Sequence, residues 1–460
     1  MKKTIYSKVA LVAAFLSLSL SVAAQQQPKA FGRPIKAAAN PENGLIRCVS
    51  AEYEEYLREQ IPQRANTPEF EQWIEAKIQQ EQIRRQASPS NEAIVITIPV
   101  VVHVIHDGDA VGVSENIKEG QVLSQITVLN QDYRRQAGTP GYNSDAVGAD
   151  VEIEFCLAKT APDGSATTGI DRVNLGITSY DESTVESYMK PETIWDPTNY
   201  FNIWVCRFGG DLDGVLGYAQ FPQSSGLQGL SGPFAANTDG VVIHYQYFGS
   251  RAVFPSGTYG TPYDRGRTAT HEIGHSLGLR HIWGDTVGCS TTNSGGDYCA
   301  DTPVAYDANG SCPTGLDTCP AQTGLDMTNN YMDYTNDTCM NIFTLNQKTR
   351  MLTVMNNSPR RASLKNSTRC QPPLGIDDFN LLNGLNVYPN PTQGILNISS
   401  DNGNLPDSFT IYNSLGQVMA NIKVSSTSNL NVNTSTYANG LYFIKLDKGN
   451  QSKTIKFIKN

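Results

Sequence analysis

Three of the chain's six histidines fall within eleven residues, His271-Glu272-Ile273-Gly274-His275-Ser276-Leu277-Gly278-Leu279-Arg280-His281. No other stretch restricts the fold so tightly. Residues four apart on an α-helix differ by about 40° around the axis, so a helix here presents His271 and His275 from one face. Both imidazoles can then reach one zinc ion at about 2.0–2.1 Å. Glu272 is turned away by about 100°, near such an ion without ligating it. A continuous helix would carry His281 about 15 Å from His271, too far to share the ion. Gly278 removes the difficulty, because glycine can take the left-handed conformation that ends a helix and turns the chain back. His281 then supplies a third ligand, and the fourth position stays open to water, as catalytic zinc requires. Zinc lowers the pKa of its bound water and polarises a carbonyl. Glu272 can take that water's proton and deliver it to a leaving amine. The pattern points to hydrolysis of peptide bonds, with proteins or peptides as substrates. A rival is a surface adhesin that keeps the zinc fold as a scaffold, but binding alone needs no general base such as Glu272.

The remainder of the chain suits export. Lys2 and Lys3 precede an apolar run over 9–22 that ends at Ala23-Ala24, which reads as a signal peptide over 1–24. The run is short and broken by serines, which argues against an anchor, and no later stretch could span a bilayer. At 460 residues two or three domains are expected, and 39% hydrophobic residues allow real cores. The net charge is -9, with no basic cluster interleaved with aromatics, so nucleic acid is not a partner. The nine cysteines of an exported chain should mostly pair, yet the count is odd and at least one has another use.

Four parts follow the signal. Residues 25–90 are polar, with helical character over 52–60 and 69–86. Their apolar residues, among them Phe70, Trp73, Ile74 and Ile78, are too few for a core of their own. Residues 91–368 open with a β-branched strand over 98–105 and a helical pattern over 117–135. Strands over 151–158, 200–208 and 240–248 come next, then a helix over 268–279 and a loop-rich tail of Gly, Asp, Asn and Cys. This order predicts an α+β domain, a mixed sheet with helices packed on it. A linker over 369–384 contains Pro372-Pro373. Residues 385–460 then alternate apolar and polar in short runs, the pattern of a small β-sandwich of about seven strands.

The histidine motif with Gly278 and His281 is the metzincin signature, and Met332 within 330–334 fits the methionine turn that metzincins place beneath zinc. With the stretches 98–106, 271–285, 297–303 and 330–339, the chain resembles the pappalysin family, of ulilysin and mirolysin type. The resemblance runs over about 270 residues, on the order of one domain. It implies a metzincin catalytic domain: a twisted mixed sheet with a backing helix and an active-site helix, then a loop-rich C-terminal subdomain. It also implies that Tyr334 swings toward zinc and stabilises the transition state. The family's two disulfides would correspond to Cys289–Cys319 and Cys312–Cys339, although sequence alone leaves the pairing open. Cys156, Cys206, Cys299 and Cys370 could form further bridges. Asp297 and Thr302 match a structural calcium site, a role suited to oxygen-rich loops. Relatives of this type cut before arginine or lysine, using an acidic group in the receiving pocket. Asp337 lies near the matching position, with Thr338 directly before Cys339 as a departure from the pattern.

Cys48, in Arg47-Cys48-Val49, matches the cysteine switch of family zymogens, in which a thiolate fills the open zinc position. That makes 25–90 a propeptide and accounts for the odd cysteine; a disulfide or an idle thiol are the alternatives. Maturation would cut between Arg84 and Ala93. The C-terminal runs 388–392, 394–398, 412–416 and 437–442 and the basic end at Lys453 to Lys459 resemble the type IX secretion sorting domain of Bacteroidetes. That resemblance implies the type IX machinery as a partner. The protein would pass through periplasm and outer membrane, to be secreted or attached to the cell surface.

Overall fold

A computed structural model describes residues 27–37, 39–87, 95–223, 237–292, 294–373, 382, 384–400, 405–449 and 451–460. The signal segment 1–24, residues 88–93 of the expected maturation window and most of the linker's second half lie outside the described residues. The segment that follows the signal begins with strands β1 (Lys29–Ala30) and β2 (Arg33–Pro34), paired with each other. Strand β3 (Ile46–Cys48) and helices α1 (Ser50–Gln60) and α2 (Thr67–Ala87) follow. The segment borrows its core from the rest of the chain. Tyr53 and Leu57 of α1 are buried with Trp204 and Tyr218, while Phe70 and Ile74 of α2 are buried with Val354.

The large sheet is built from β4 (Ile96–His106), β5 (Ile153–Leu157), β6 (Ile170–Asn174), β7 (Phe201–Cys206), β8 (Val215–Ala219) and β9 (Val241–His244), joined by β3. Its order is β3-β8-β9-β7-β4-β5, with β6 also on β4. β4 pairs in parallel with β5, β6 and β7, and β7 with β9, whereas β8 is antiparallel to β9. The sheet is therefore mixed, and its central strands are buried on both faces, which is why β4 and β7 read as nearly continuous β-branched and aromatic runs. Helix α3 (Glu119–Tyr133) backs the sheet. Two short helices, α4 (Glu182–Thr184) and α5 (Lys190–Thr193), lie on either side of a π-helical turn over Val185–Met189. Helix α6 (Arg267–Ser276) carries the histidine motif and packs beside α3 and β8.

The region beyond residue 279 is not loops throughout. Helices α7 (Leu345–Asn357) and α8 (Pro359–Leu364) close it. The signal for α7 is local. Thr344 and Gln347 form a capping box, and Met351, Val354 and Met355 fall at helical spacing on the buried face. Disulfides join Cys289 to Cys319 and Cys312 to Cys339 within the loops, and Cys156 of β5 to Cys370 after α8. Cys206 and Cys299 remain free thiols; Cys206 sits inside the sheet core, out of reach of the loop cysteine.

Strands β10 (Leu385–Tyr388), β11 (Ile395–Ser400), β12 (Ser408–Asn413), β13 (Val418–Lys423), β14 (Asn431–Asn433), β15 (Gly440–Lys448) and β16 (Gln451–Lys459) form two antiparallel sheets, β10-β11-β14 and β13-β12-β15-β16. Leu396, Phe409, Ile411, Ile444, Leu446 and Phe457 fill the space between them. Among the described residues no helix is long and apolar enough to cross a membrane.

Candidate metal centre and active site

Helix α6 is buried along its whole length, with His271, Glu272 and His275 on its last two turns. It stops because the chain reverses at Gly278, whose φ of +90° favours glycine. The amides of Gly278 and Leu279 return to the carbonyls of His275 and Gly274 at 2.9 and 3.0 Å. This reversal brings His281 back over the helix. The three Nε2 atoms lie 3.0–3.2 Å from one another.

The protons of these rings are spoken for elsewhere. His271 Nδ1 donates to the Tyr331 carbonyl at 2.7 Å and His275 Nδ1 to the Leu279 carbonyl at 2.9 Å. His281 Nδ1 faces the Asp285 carboxylate. Burial holds the pKa of His271 and of His275 well below the usual histidine range, so both rings are neutral. The Nε2 lone pairs of His271 and His275 thus point at the spot where His281 Nε2 also arrives, an arrangement suited to a cation at the focus. Tetrahedral zinc with bonds of 2.0–2.1 Å would set its nitrogens about 3.3 Å apart, close to the spacing seen. Each acceptor behind a ring also fixes the tautomer that ligation needs.

The Cys48 sulfur completes this cluster, with all four ligand atoms within 4.8 Å of one another. Burial and the neighbouring Glu272 push its thiol well up. Glu272 lies on the same side. Its Oε2 accepts from Ser50 Oγ at 2.8 Å and lies 3.3 Å from the Cys48 sulfur, while its Oε1 is buried without a partner. Burial raises its pKa to about 8. Ser50 Oγ in turn accepts from the Ala219 amide at 2.8 Å. The Tyr334 ring packs edge-on to His271 and His281, and its hydroxyl donates to the Cys48 carbonyl at 2.8 Å. Met332 is buried beneath α6, so close that a Cβ on Gly274 would meet its sulfur at 2.6 Å.

A second pocket beside the cluster is closed and filled by Arg47, which donates to Asp337 at 2.7 Å and to the Thr335 carbonyl at 2.8 Å; neither side chain of the pair has any exposure. The Arg47 guanidinium also lies 4.8 Å from the centre of the Tyr263 ring. The other Asp337 oxygen accepts from the amides of Arg265 and Arg267. β3, which carries Arg47 and Cys48, runs parallel to β8 as the outermost strand of the sheet, with Cys48 opposite Gly217. Asp297 and Thr302 form a hydrogen-bonded pair of their own, and burial raises the Asp297 carboxyl to about 8.

The structure thus gathers Cys48, His271, Glu272, His275, His281, Met332 and Tyr334 at one place and Asp337 in the adjoining pocket. Sequence reasoning missed Ser50, Arg47 and Asp285. An acidic residue four places after the last histidine is a signal for Asp285. Nothing in the sequence marks Ser50 or Arg47 beyond their standing beside Cys48.

Residues 184–356 match the family model described as pregnancy-associated plasma protein-A, and residues 386–460 match that of the secretion system C-terminal sorting domain. An extracellular metalloprotease of Sordaria macrospora is 43% identical over 269 residues, covering 58% of this chain and 78% of the relative. The chain belongs to the pappalysin family of metalloproteases. It is a secreted zinc metalloendopeptidase with a C-terminal sorting domain for type IX export. An extracellular metalloprotease of Arthroderma gypseum is 30% identical over 291 residues, covering 63% of this pappalysin and 80% of its own chain. Mature mirolysin of Tannerella forsythia in complex with a cleaved peptide is 40% identical, with 59% of this chain and 96% of that one covered and a TM-score of 0.50. A promirolysin mutant from the same organism is 35% identical, with 69% and 97% covered and a TM-score of 0.53.

Proposed function

We propose that this pappalysin is made as a zymogen that its own residues 25–90 hold latent, and that once processed it cuts peptide chains on the N-terminal side of arginine or lysine. The convergence of three Nε2 atoms, with the Nδ1 hydrogens of His271 and His275 held by backbone carbonyls, carries the reading. His271, His275 and His281 would hold zinc, with Cys48 in the fourth position. Zinc when bound supplies a Lewis acid that polarises the scissile carbonyl and makes water a stronger acid. Glu272, freed from Ser50 and Cys48, takes the proton of the attacking water and passes it to the leaving amine. Tyr334, freed from the Cys48 carbonyl, has a hydroxyl to donate to the developing oxyanion.

Arg47 supports the basic preference, because it already satisfies Asp337 as a substrate side chain would. It also explains why the inhibitory segment is not cut. A substrate cleaved before arginine presents first the scissile carbonyl and then the basic side chain. The inhibitory segment presents Arg47 first and Cys48 second, so it runs the opposite way through the cleft. The larger share of the chain covered by the pro-form than by the mature form of mirolysin, 69% against 59%, fits a leading inhibitory segment. Asp297 and Thr302 are proposed to take calcium, whose charge would relieve the buried carboxyl.

The test is a peptide-library digest by the secreted, processed protein, with and without o-phenanthroline, alongside metal analysis. Chelator-sensitive cuts before Arg or Lys and one zinc per chain are expected. A processed protein free of zinc overturns the reading.

A further inference from the structure

Glu71 of α2 is buried in an ion cluster outside the metal centre. Its carboxylate accepts from Arg280 Nε at 2.8 Å and from Arg350 Nη1 and Nη2 at 2.8 and 3.0 Å. All three residues are at least nine-tenths buried. The two arginines do not depend on Glu71 for their placement. Arg350 also donates to the Gly278 carbonyl at 3.1 Å and lies over the Tyr298 ring. Arg280 lies over the rings of Phe221 and Tyr298. Acidic groups of the catalytic domain nearby are otherwise engaged: Asp285 faces His281, and Asp297 is tied to Thr302. A guanidinium pair of this kind binds a planar carboxylate in two-pronged fashion.

The position along the cleft is also set. From Arg47 in its pocket the chain passes Cys48 at the histidines and enters α1. A pocket of about 290 Å³ on the α1 side is lined by Glu54 of α1, Phe221, Asp285, Tyr298 and Arg280, and Arg350 reaches it only through the Tyr298 ring that it lies over. In a substrate running opposite to this segment, that side receives residues N-terminal to the cut.

We infer that in the processed enzyme Arg280 and Arg350 form a carboxylate-binding subsite, held by Glu71 during latency, that takes an acidic side chain of the substrate N-terminal to the scissile bond. This rests on the zymogen reading above, since Glu71 must leave with α2. Without it the two guanidiniums lose the carboxylate to which both donate, and an acidic substrate side chain can take its place.

The experiment uses the processed protein and fluorogenic peptides with one Arg after the cut and either Glu or Gln at each of the second, third and fourth positions before it. Glu at one position should raise kcat/KM about tenfold, mainly through KM, and the gain should shrink at high salt. In Arg350→Gln the Glu-to-Gln ratio should fall to one, with Arg350→Lys intermediate. Equal rates for Glu and Gln peptides with the wild type overturn the subsite while leaving the protease reading standing, and that comparison needs no variant to fold. A ratio that survives Arg350→Gln also overturns it. Failure to cut any peptide overturns the protease reading and the subsite together.

Discussion

Replacing Arg47 with methionine tests how latency is held apart from the metal. The substitution keeps an unbranched side chain of similar length in the pocket and removes the charge. Arg47 and Asp337 are wholly buried and joined at 2.7 Å. Removing one partner of a buried pair costs about 3–5 kcal/mol, because the other charge is left uncompensated. Two of Arg47's nitrogens have no partner, so the lower end applies. Asp337 also keeps the amides of Arg265 and Arg267 and can rehydrate only when the pocket opens. The open form therefore gains about 3 kcal/mol, roughly a hundredfold at 1.36 kcal/mol per factor of ten. The assay is the initial rate of hydrolysis of a short Arg-containing fluorogenic peptide by the unprocessed chain, with intactness checked on a gel. The Arg47→Met zymogen should leak activity about a hundredfold above the wild-type zymogen, and Arg47→Lys about tenfold. A methionine variant as silent as wild type would refute the argument, because Cys48 and α1 would then hold the site shut without the pocket.

Other outcomes follow from single observations. Glu272→Ala should lower kcat by about 10²–10⁴ through loss of the proton carrier, while metal analysis finds zinc retained, since Glu272 is not among the converging ligands. Gly274→Ala sets a methyl 2.6 Å from the Met332 sulfur; the overpacking should cost about 1–3 kcal/mol, read as a lower Tm. Replacing Cys156 and Cys370 by serine opens a link across 214 residues, which on chain entropy removes about 5 kcal/mol, read as a shift in denaturant midpoint. Asp297 has a folded pKa of about 8 against an unfolded value near the usual aspartate range. The folded state therefore holds the extra proton, and in EDTA stability should fall as pH rises from about 4 to about 8, by up to about 1.4 kcal/mol per pH unit. Asp297→Asn should flatten that slope, and calcium should reverse it if the site binds the ion.

The helix that carries the histidines, the reversal at Gly278 and the sandwich at the C-terminus were legible because each is local. Spacing of four on a helix, one glycine that can take positive φ, and period-two alternation are written within a dozen residues. Helix α7 is equally local in its capping box of Thr344 and Gln347, but the cysteine- and glycine-rich stretch before it makes the region read as loop. Strand β3 could not be read at all: three residues have no period, and they are a strand only because β8 offers an unpaired edge.

By itself the sequence determined which groups could ligate, which carboxylate could carry a proton and where the chain changes character, since these depend on residue type and near spacing. Only the tertiary structure decided that Arg47 meets Asp337, that Ser50 holds Glu272, that Glu71 lies between Arg280 and Arg350, and that Cys156 reaches Cys370. These partners stand 209 to 290 residues apart in the chain. No local pattern encodes such a meeting; it follows from burying the apolar faces of α1 and α2 against the sheet and α7, which carries their polar neighbours into a low-dielectric interior where each charge must find its opposite.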